Sequence, residues 1–191
     1  PIEDRKVSIS RAMFTVDYPA SFMLIASMNP CPCGFYNHPE KDCVCSPVVV
    51  HRYLSKISGP LLDRIDLHVE VTPVSFGELS EAEKGEASKV IRARVIQARD
   101  IQGKRFNDKA EVHSNAQMNA QLLKQICVIN KEGNALLKTA MDKLGLSARA
   151  YDRILKVART IADLEGSEQI ESNHLAEAIQ YRSLDRSGWA G

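Results

Sequence analysis

Between Met28 and Cys45 the chain reads MNPCPCGFYNHPEKDCVC, which holds four of its five cysteines as two C-x-C pairs. Four thiolates suffice for a closed tetrahedral zinc site, and such an ion would staple a loop that has little apolar material. One residue inside each pair is tighter than the usual spacing of structural zinc ligands. Cys31, Cys33, Cys43 and Cys45 therefore read as a metal set, as a reduced loop, or as disulfides across its two arms, with His38, Asp42 and His51 as neighbouring substitute ligands. The fifth thiol, Cys127, lies in an apolar helical stretch and reads as core. Just ahead of the cluster, Asn29 ends the apolar run FMLIASM. An amide at the carboxyl end of a buried strand can orient a water or a phosphate oxygen without adding charge. Before Pro30 it is equally an ordinary turn starter.

The other chemistry rests on cations. Arg64 stands in GPLLDRIDLHVEV between two aspartates, where it can pair with a carboxylate or reach a phosphate on another subunit. A guanidinium suits that second task because it is always charged and presents a planar fork of donors. Arg149 falls in the first turn of a helix expected after Ser147, where the helix terminus already favours anions. Arg149, Arg153 and Lys156 share a face, which alone reads as solvated surface. Lys6, just upstream of a short hairpin, and Arg11, at its tip, could touch a phosphate backbone. The basic residues from Lys89 to Arg105 read as plain surface charge.

These groups need elements to hold them. Val7–Ser10 and Phe14–Tyr18 alternate on either side of a tight turn, which predicts a hairpin over 7–18. Residues 22–29 form a continuous apolar run of strand length, as expected for a strand covered on both faces of a parallel sheet. A loop over 30–46 follows, then a short helix from VVVHRYLSKI, a break at Gly59-Pro60, and a further strand in IDLHVEV. Beyond Leu79 the periodicity is helical. Ile91, Val95, Ala98 and Ile101 mark one stripe, and Ser147 is a good N-cap with Leu146 and Tyr151 as a hydrophobic staple. The last helix is SNHLAEAIQYR, and SLDRSGWAG reads as a frayed tail. The fold class is thus α/β followed by all-α, with the boundary near residue 80.

The composition sets limits. The chain has 191 residues, 44% apolar and 26% charged, with a net charge of +1. It can bury a core, but it offers no global electrostatic case for nucleic acid, so any such binding needs a local patch. No apolar run has transmembrane length. The clustered thiols suit a reducing compartment, and a cytoplasmic location is expected. The chain opens at Pro1 inside a continuing pattern, so a segment of a longer protein is expected. Its 191 residues contain no G-x-x-x-x-G-K-[ST] loop, and nucleotide hydrolysis by this segment alone is not expected.

Four stretches in order, PIEDRKVSISR, MNPCPCGFYN, SGPLLDRIDLHVEV and LSARAYDRILKVARTIADLEG, resemble the magnesium-chelatase-like AAA+ ATPases of the ComM type. The resemblance implies the C-terminal part of a AAA+ parallel-sheet core over 1–79, followed by a helical lid over 80–191. The Walker motifs would lie upstream. It assigns Val7–Tyr18 to a hairpin that related ring motors point into their channel, with Lys6 and Arg11 as DNA contacts. It makes Asn29 the sensor that positions the attacking water, Arg64 an arginine finger for the neighbouring subunit, and Arg149 the lid's contribution to the nucleotide. Implied cofactors are ATP with magnesium, with structural zinc at the four cysteines. Implied partners are further copies in a hexameric ring, and DNA undergoing branch migration. Two other readings compete: a chelatase motor serving a tetrapyrrole-handling partner, and a non-enzymatic zinc-stapled adaptor.

Overall fold

A computed structural model describes residues 2–74, 85–109 and 111–182. The chain divides into two compact units, one ending at Arg64 and the other beginning at Ile65. The expected boundary at residue 80 and the tail SLDRSGWAG fall outside the described residues.

The first unit opens with a hairpin, β1 (Lys6–Arg11) and β2 (Phe14–Pro19), paired antiparallel with Val7 opposite Tyr18 and Ile9 opposite Val16. Strict alternation sorts its two faces. Lys6, Ser8, Ser10, Thr15 and Asp17 share one face, where Lys6 pairs with Asp17 at 3.2 Å and the Ser10 and Thr15 hydroxyls meet at 2.9 Å. Val7, Ile9, Val16 and Tyr18 share the other. Next come α1 (Pro47–Leu54), with Pro47 in its first turn, and the single turn α2 (Gly59–Leu62). The buried side chains of this unit are Cys31, Val50 and Leu54.

Two expected strands differ from the structure. Residues 22–29 join no ladder among the described residues, and Phe22, Met23, Leu24 and Ile25 are exposed. A strand exists only where a neighbour takes its backbone groups, and a parallel neighbour needs a long crossover. The one sheet among the described residues is the antiparallel hairpin. Residues 65–71 likewise form no strand. Two of their backbone groups are met at the end of the last helix: the His68 N–H donates to the Tyr181 carbonyl at 2.8 Å, and Arg182 donates to the Ile65 carbonyl.

The second unit is helical: α3 (Ser88–Arg105), a 3₁₀ turn at Asn115–Gln117, α4 (Ala120–Ile126), α5 (Lys131–Leu144), α6 (Ala148–Glu165) and α7 (Ser172–Gln180). Capping sets several of the boundaries. Asn119, Asn130 and Ser147 each accept a backbone N–H at N3, from Leu122, Gly133 and Ala150. These bonds occupy orphan donors of the first turn. Gly166 ends α6 at φ 78°, a left-handed conformation that glycine adopts without a Cβ clash.

Ala150, Ile154, Leu155 and Ala158 place one face of α6 at the centre of the core. Leu137 of α5 and Leu175 of α7 close on it, and a parallel bridge between Ile129 and Ile170 ties together the segments that enter those helices. The apolar stripe expected on α3 is only partly covered: Ala98 is buried, whereas Ile91 and Val95 are exposed. Among the described residues no helix is long and apolar enough to cross a membrane.

Candidate metal centre and phosphate-directed side chains

The four clustered cysteines converge. Every pair of their sulfur atoms lies within 4.8 Å. Cys31 Sγ is 3.3 Å from Cys33 Sγ and 3.7 Å from Cys43 Sγ, and Cys33 Sγ is 3.6 Å from Cys43 Sγ. A tetrahedral zinc site with Zn–S bonds of about 2.3 Å has sulfur–sulfur edges of roughly 3.8 Å. The three separations lie close to that edge length, and all four thiols converge within reach of one ion. All four are free cysteines.

The backbone builds this arrangement. The Gly34 N–H donates to the Cys31 carbonyl at 3.0 Å, closing the turn Cys31-Pro32-Cys33-Gly34. Gly34 stands at φ 85°, where a side chain would be strained. The N–H groups of Phe35 and Val44 point at the Cys33 sulfur, that of Cys45 at Cys43, and that of Cys33 at Cys45. Donors aimed at sulfur favour the thiolate and orient it as a ligand. The second arm ends at Cys45, directly before the N-cap Ser46 of α1.

Electrostatics within the cluster is uneven. The Phe35 N–H is the main cause that brings the Cys33 thiol down to about 6. Cys43 accepts the Cys45 N–H, which favours its thiolate, but burial and the neighbouring thiols outweigh this and lift it to about 12. Cys45 is raised for the same reasons despite the Cys33 N–H. Thiolates this close repel one another, and a divalent cation reverses that balance.

The substitute ligands are engaged elsewhere or lie apart. His38 Nδ1 accepts the N–H groups of Glu40 and Lys41 at 3.0 and 3.2 Å, and its ring packs edge-on against Phe35. Asp42 and His51 lie outside the ligand group.

Asn29 is exposed and borders the cluster. A Cβ built on Gly34 would lie 3.9 Å from the Asn29 Nδ2. Arg64 follows α2 and is held on two sides: Nε donates to Glu3 at 3.1 Å and Nη1 to the Pro60 carbonyl at 2.9 Å. Glu3, sixty-one residues away, is a partner that sequence proximity could not point to. Of the two aspartates that neighbour Arg64 in sequence, Asp66 takes Arg153 at 2.7 Å.

In the second unit, Arg149 is exposed in the first turn of α6, two residues after the cap Ser147. The basic face around it is partly structural, since Arg153 holds Asp66 and Lys156 reaches the Ala116 carbonyl at 3.3 Å. Arg105 is no surface charge. It donates to the buried carboxylate of Asp163 at 2.5 and 2.7 Å and to Asn115 Oδ1 at 2.9 Å. Arg159 reaches the same carboxylate at 3.1 Å, and Asn115 Nδ2 reaches it at 2.7 Å. The sequence signal for this network was the i,i+4 pair Arg159 and Asp163, polar residues inside an apolar helix.

Lys6 and Arg11 are exposed on the hairpin, with Lys6 already paired to Asp17. That pairing leaves Arg11, beside the turn at Ala12-Met13, as the cation of the hairpin tip.

Comparison with known proteins covers both units. Residues 1–79 match the family described as magnesium chelatase, subunit ChlI, and residues 85–182 match its C-terminal family. The chain is 43% identical over 186 residues to competence protein ComM of Haemophilus influenzae, which covers 97% of this chain and 35% of that protein. It is 42% identical over 188 residues to the uncharacterized protein YifB of Escherichia coli (97% and 36%) and 36% identical over 182 residues to an uncharacterized protein of Mycobacterium bovis (95% and 35%). The chain therefore spans about a third of the length of these curated relatives. Matched over nearly its whole length, in both of the family's segments, the chain belongs to the magnesium chelatase ChlI family.

Proposed function

We propose that this chain is the sensor and lid portion of a AAA+ motor that couples ATP hydrolysis to movement along DNA. The observation that carries the reading is the 43% identity to competence protein ComM over 97% of the chain. The motifs that hold Asn29, Arg64 and Arg149 all lie within that span. Phosphoryl transfer needs positioning and charge stabilisation more than covalent chemistry, and these three side chains are of the kinds that supply both.

In this reading Asn29 orients the attacking water, and Arg64 crosses to the nucleotide of the adjacent subunit in a hexameric ring. Arg149 adds a cation from the lid at a helix N-terminus, where the dipole already favours a phosphate. The hairpin tip with Arg11 meets the DNA backbone. ATP with magnesium is the fuel, bound chiefly by residues outside this chain. The four thiols fit zinc by distance, by N–H···S donation and by ligand chemistry. When bound, zinc would cross-link the loop.

The magnesium chelatase match favours one competing reading, a motor that serves a tetrapyrrole-handling partner. Steady-state ATP hydrolysis by the full-length protein separates the two. Stimulation by branched or single-stranded DNA that fades with added salt supports the DNA motor. Turnover indifferent to DNA and raised by a porphyrin-binding partner overturns it.

A further inference from the structure

The cysteine cluster is built more carefully than a plain loop staple requires. Three of its sulfurs are met by backbone N–H groups, and Cys31 has no exposed surface. Cys31 is also the only buried side chain in the stretch from residue 2 to 49. The interior of the first unit is thus the cluster together with one face of α1.

What the staple holds lies two residues upstream. Asn29 is joined to Cys31 through Pro30, whose ring fixes one backbone torsion. On the opposite side, the turn Cys31–Gly34 folds back so that Gly34 faces the Asn29 amide, at van der Waals distance from a Cβ at that position. Asn29 is therefore bounded by the cluster both along the chain and through space.

We propose that Cys31, Cys33, Cys43 and Cys45 hold a zinc ion whose task is to clamp Asn29 in its water-positioning geometry. The proposal rests on the reading of Asn29 given above. Zinc takes no part in the chemistry. It locks the turn Cys31–Gly34 beside the Asn29 amide, whose side chain is exposed. The cysteines and Gly34 are positioning residues.

The test uses full-length protein purified without chelator. Metal analysis is expected to find one zinc per chain, and cobalt substitution is expected to give the intense visible absorption of a tetrahedral thiolate site. A ratio near zero with four titratable thiols overturns the proposal. The pair Cys33→Ser with Cys43→Ser should lose the metal and lower kcat for ATP hydrolysis by roughly 10–100-fold, the usual cost of disturbing an outer-shell support. KM for ATP should hardly move, since a general collapse would raise it as well. Should that pair fail to fold, a zinc-selective chelator that spares magnesium makes the same measurement on the native chain, with zinc re-addition as rescue.

The deciding experiment is the combination with Asn29→Ala. If the clamp acts through Asn29, zinc loss costs nothing further once the amide is gone, and the combined variant turns over like Asn29→Ala. Losses that multiply overturn the clamp and leave the Asn29 reading intact. Full turnover in Asn29→Ala overturns that reading, and the clamp with it, whatever the zinc content.

Discussion

Arg64 and Glu3 form an ion pair at 3.1 Å across sixty-one residues, with about a third of each side chain exposed. The Pro60 carbonyl holds the same guanidinium from its other side. The group proposed as the arginine finger is thus held by its own unit, not left loose in solvent. A partly exposed pair of this kind is worth at most about 1 kcal/mol. A phosphate carrying a fuller negative charge competes with Glu3 on favourable terms.

Removing the finger and removing its holder should therefore differ sharply. Arg64→Ala in the full-length protein is expected to cut ATP turnover about 10³-fold or more while ATP binding persists, as for arginine fingers generally. Glu3→Gln should change thermal stability by no more than about 1 kcal/mol and leave turnover within a few-fold. Equal damage from the two changes would show that the pair is structural. Single-turnover hydrolysis and nucleotide binding measured side by side decide it.

The hairpin makes a graded prediction. The Lys6 charge is already offset by Asp17, whose carboxyl is held below its ordinary range by the Ser8 hydroxyl and by Lys6. Arg11→Ala should lower the salt slope of DNA binding by about one, the signature of one lost phosphate contact. Lys6→Ala should lower it by less. Binding isotherms at several salt concentrations give both slopes.

Asp163 is the sharpest stability target in the helical unit. Its carboxylate is fully buried and accepts from Arg105, Arg159 and Asn115. Asp163→Asn leaves two guanidinium groups facing each other without their counter-charge. Breaking a buried pair from one side costs about 3–5 kcal/mol. Urea unfolding followed by helical circular dichroism should show that loss. Arg94→Ala, which removes an exposed pair with Glu86, should cost under about 1 kcal/mol.

Cys127 offers a pH test with a definite sign. Burial pushes its thiol from the ordinary 9.0 up to about 12. Above pH 9 the unfolded chain has released this proton while the folded chain still holds it. Stability therefore falls as pH rises from about 9 toward 12, by up to ~1.4 kcal/mol per pH unit. The stability difference between the native chain and Cys127→Ala should be constant below pH 8 and shrink by roughly 1–2 kcal/mol by pH 10.5. Taking the difference cancels the lysines, which also begin to titrate there.

Local signals in the sequence carried most of the helical unit. Ser147 caps a helix that begins where the sequence places it, because a cap satisfies backbone groups within one turn of itself. The hairpin was equally legible from its alternation. The clustering of four thiols was visible as composition, since nearby cysteines in a short loop have few places to go.

Other features were settled only by the folded chain. FMLIASM has the composition of a buried strand, yet among the described residues it has no strand to pair with, and strand pairing is a property of two segments, never of one. Arg105 looked like one more cation on a basic helix and proved to be the ligand of a buried carboxylate fifty-eight residues away. Glu3 holding Arg64 is likewise a contact between positions whose spacing in sequence carries no periodic signal. Periodicity, caps and turn chemistry act over a few residues, so the sequence alone determined the helices, the hairpin and the supply of ligands. Long-range charge pairing and backbone proximity depend on how the chain returns on itself, and only the tertiary structure decided which groups those ligands and cations meet.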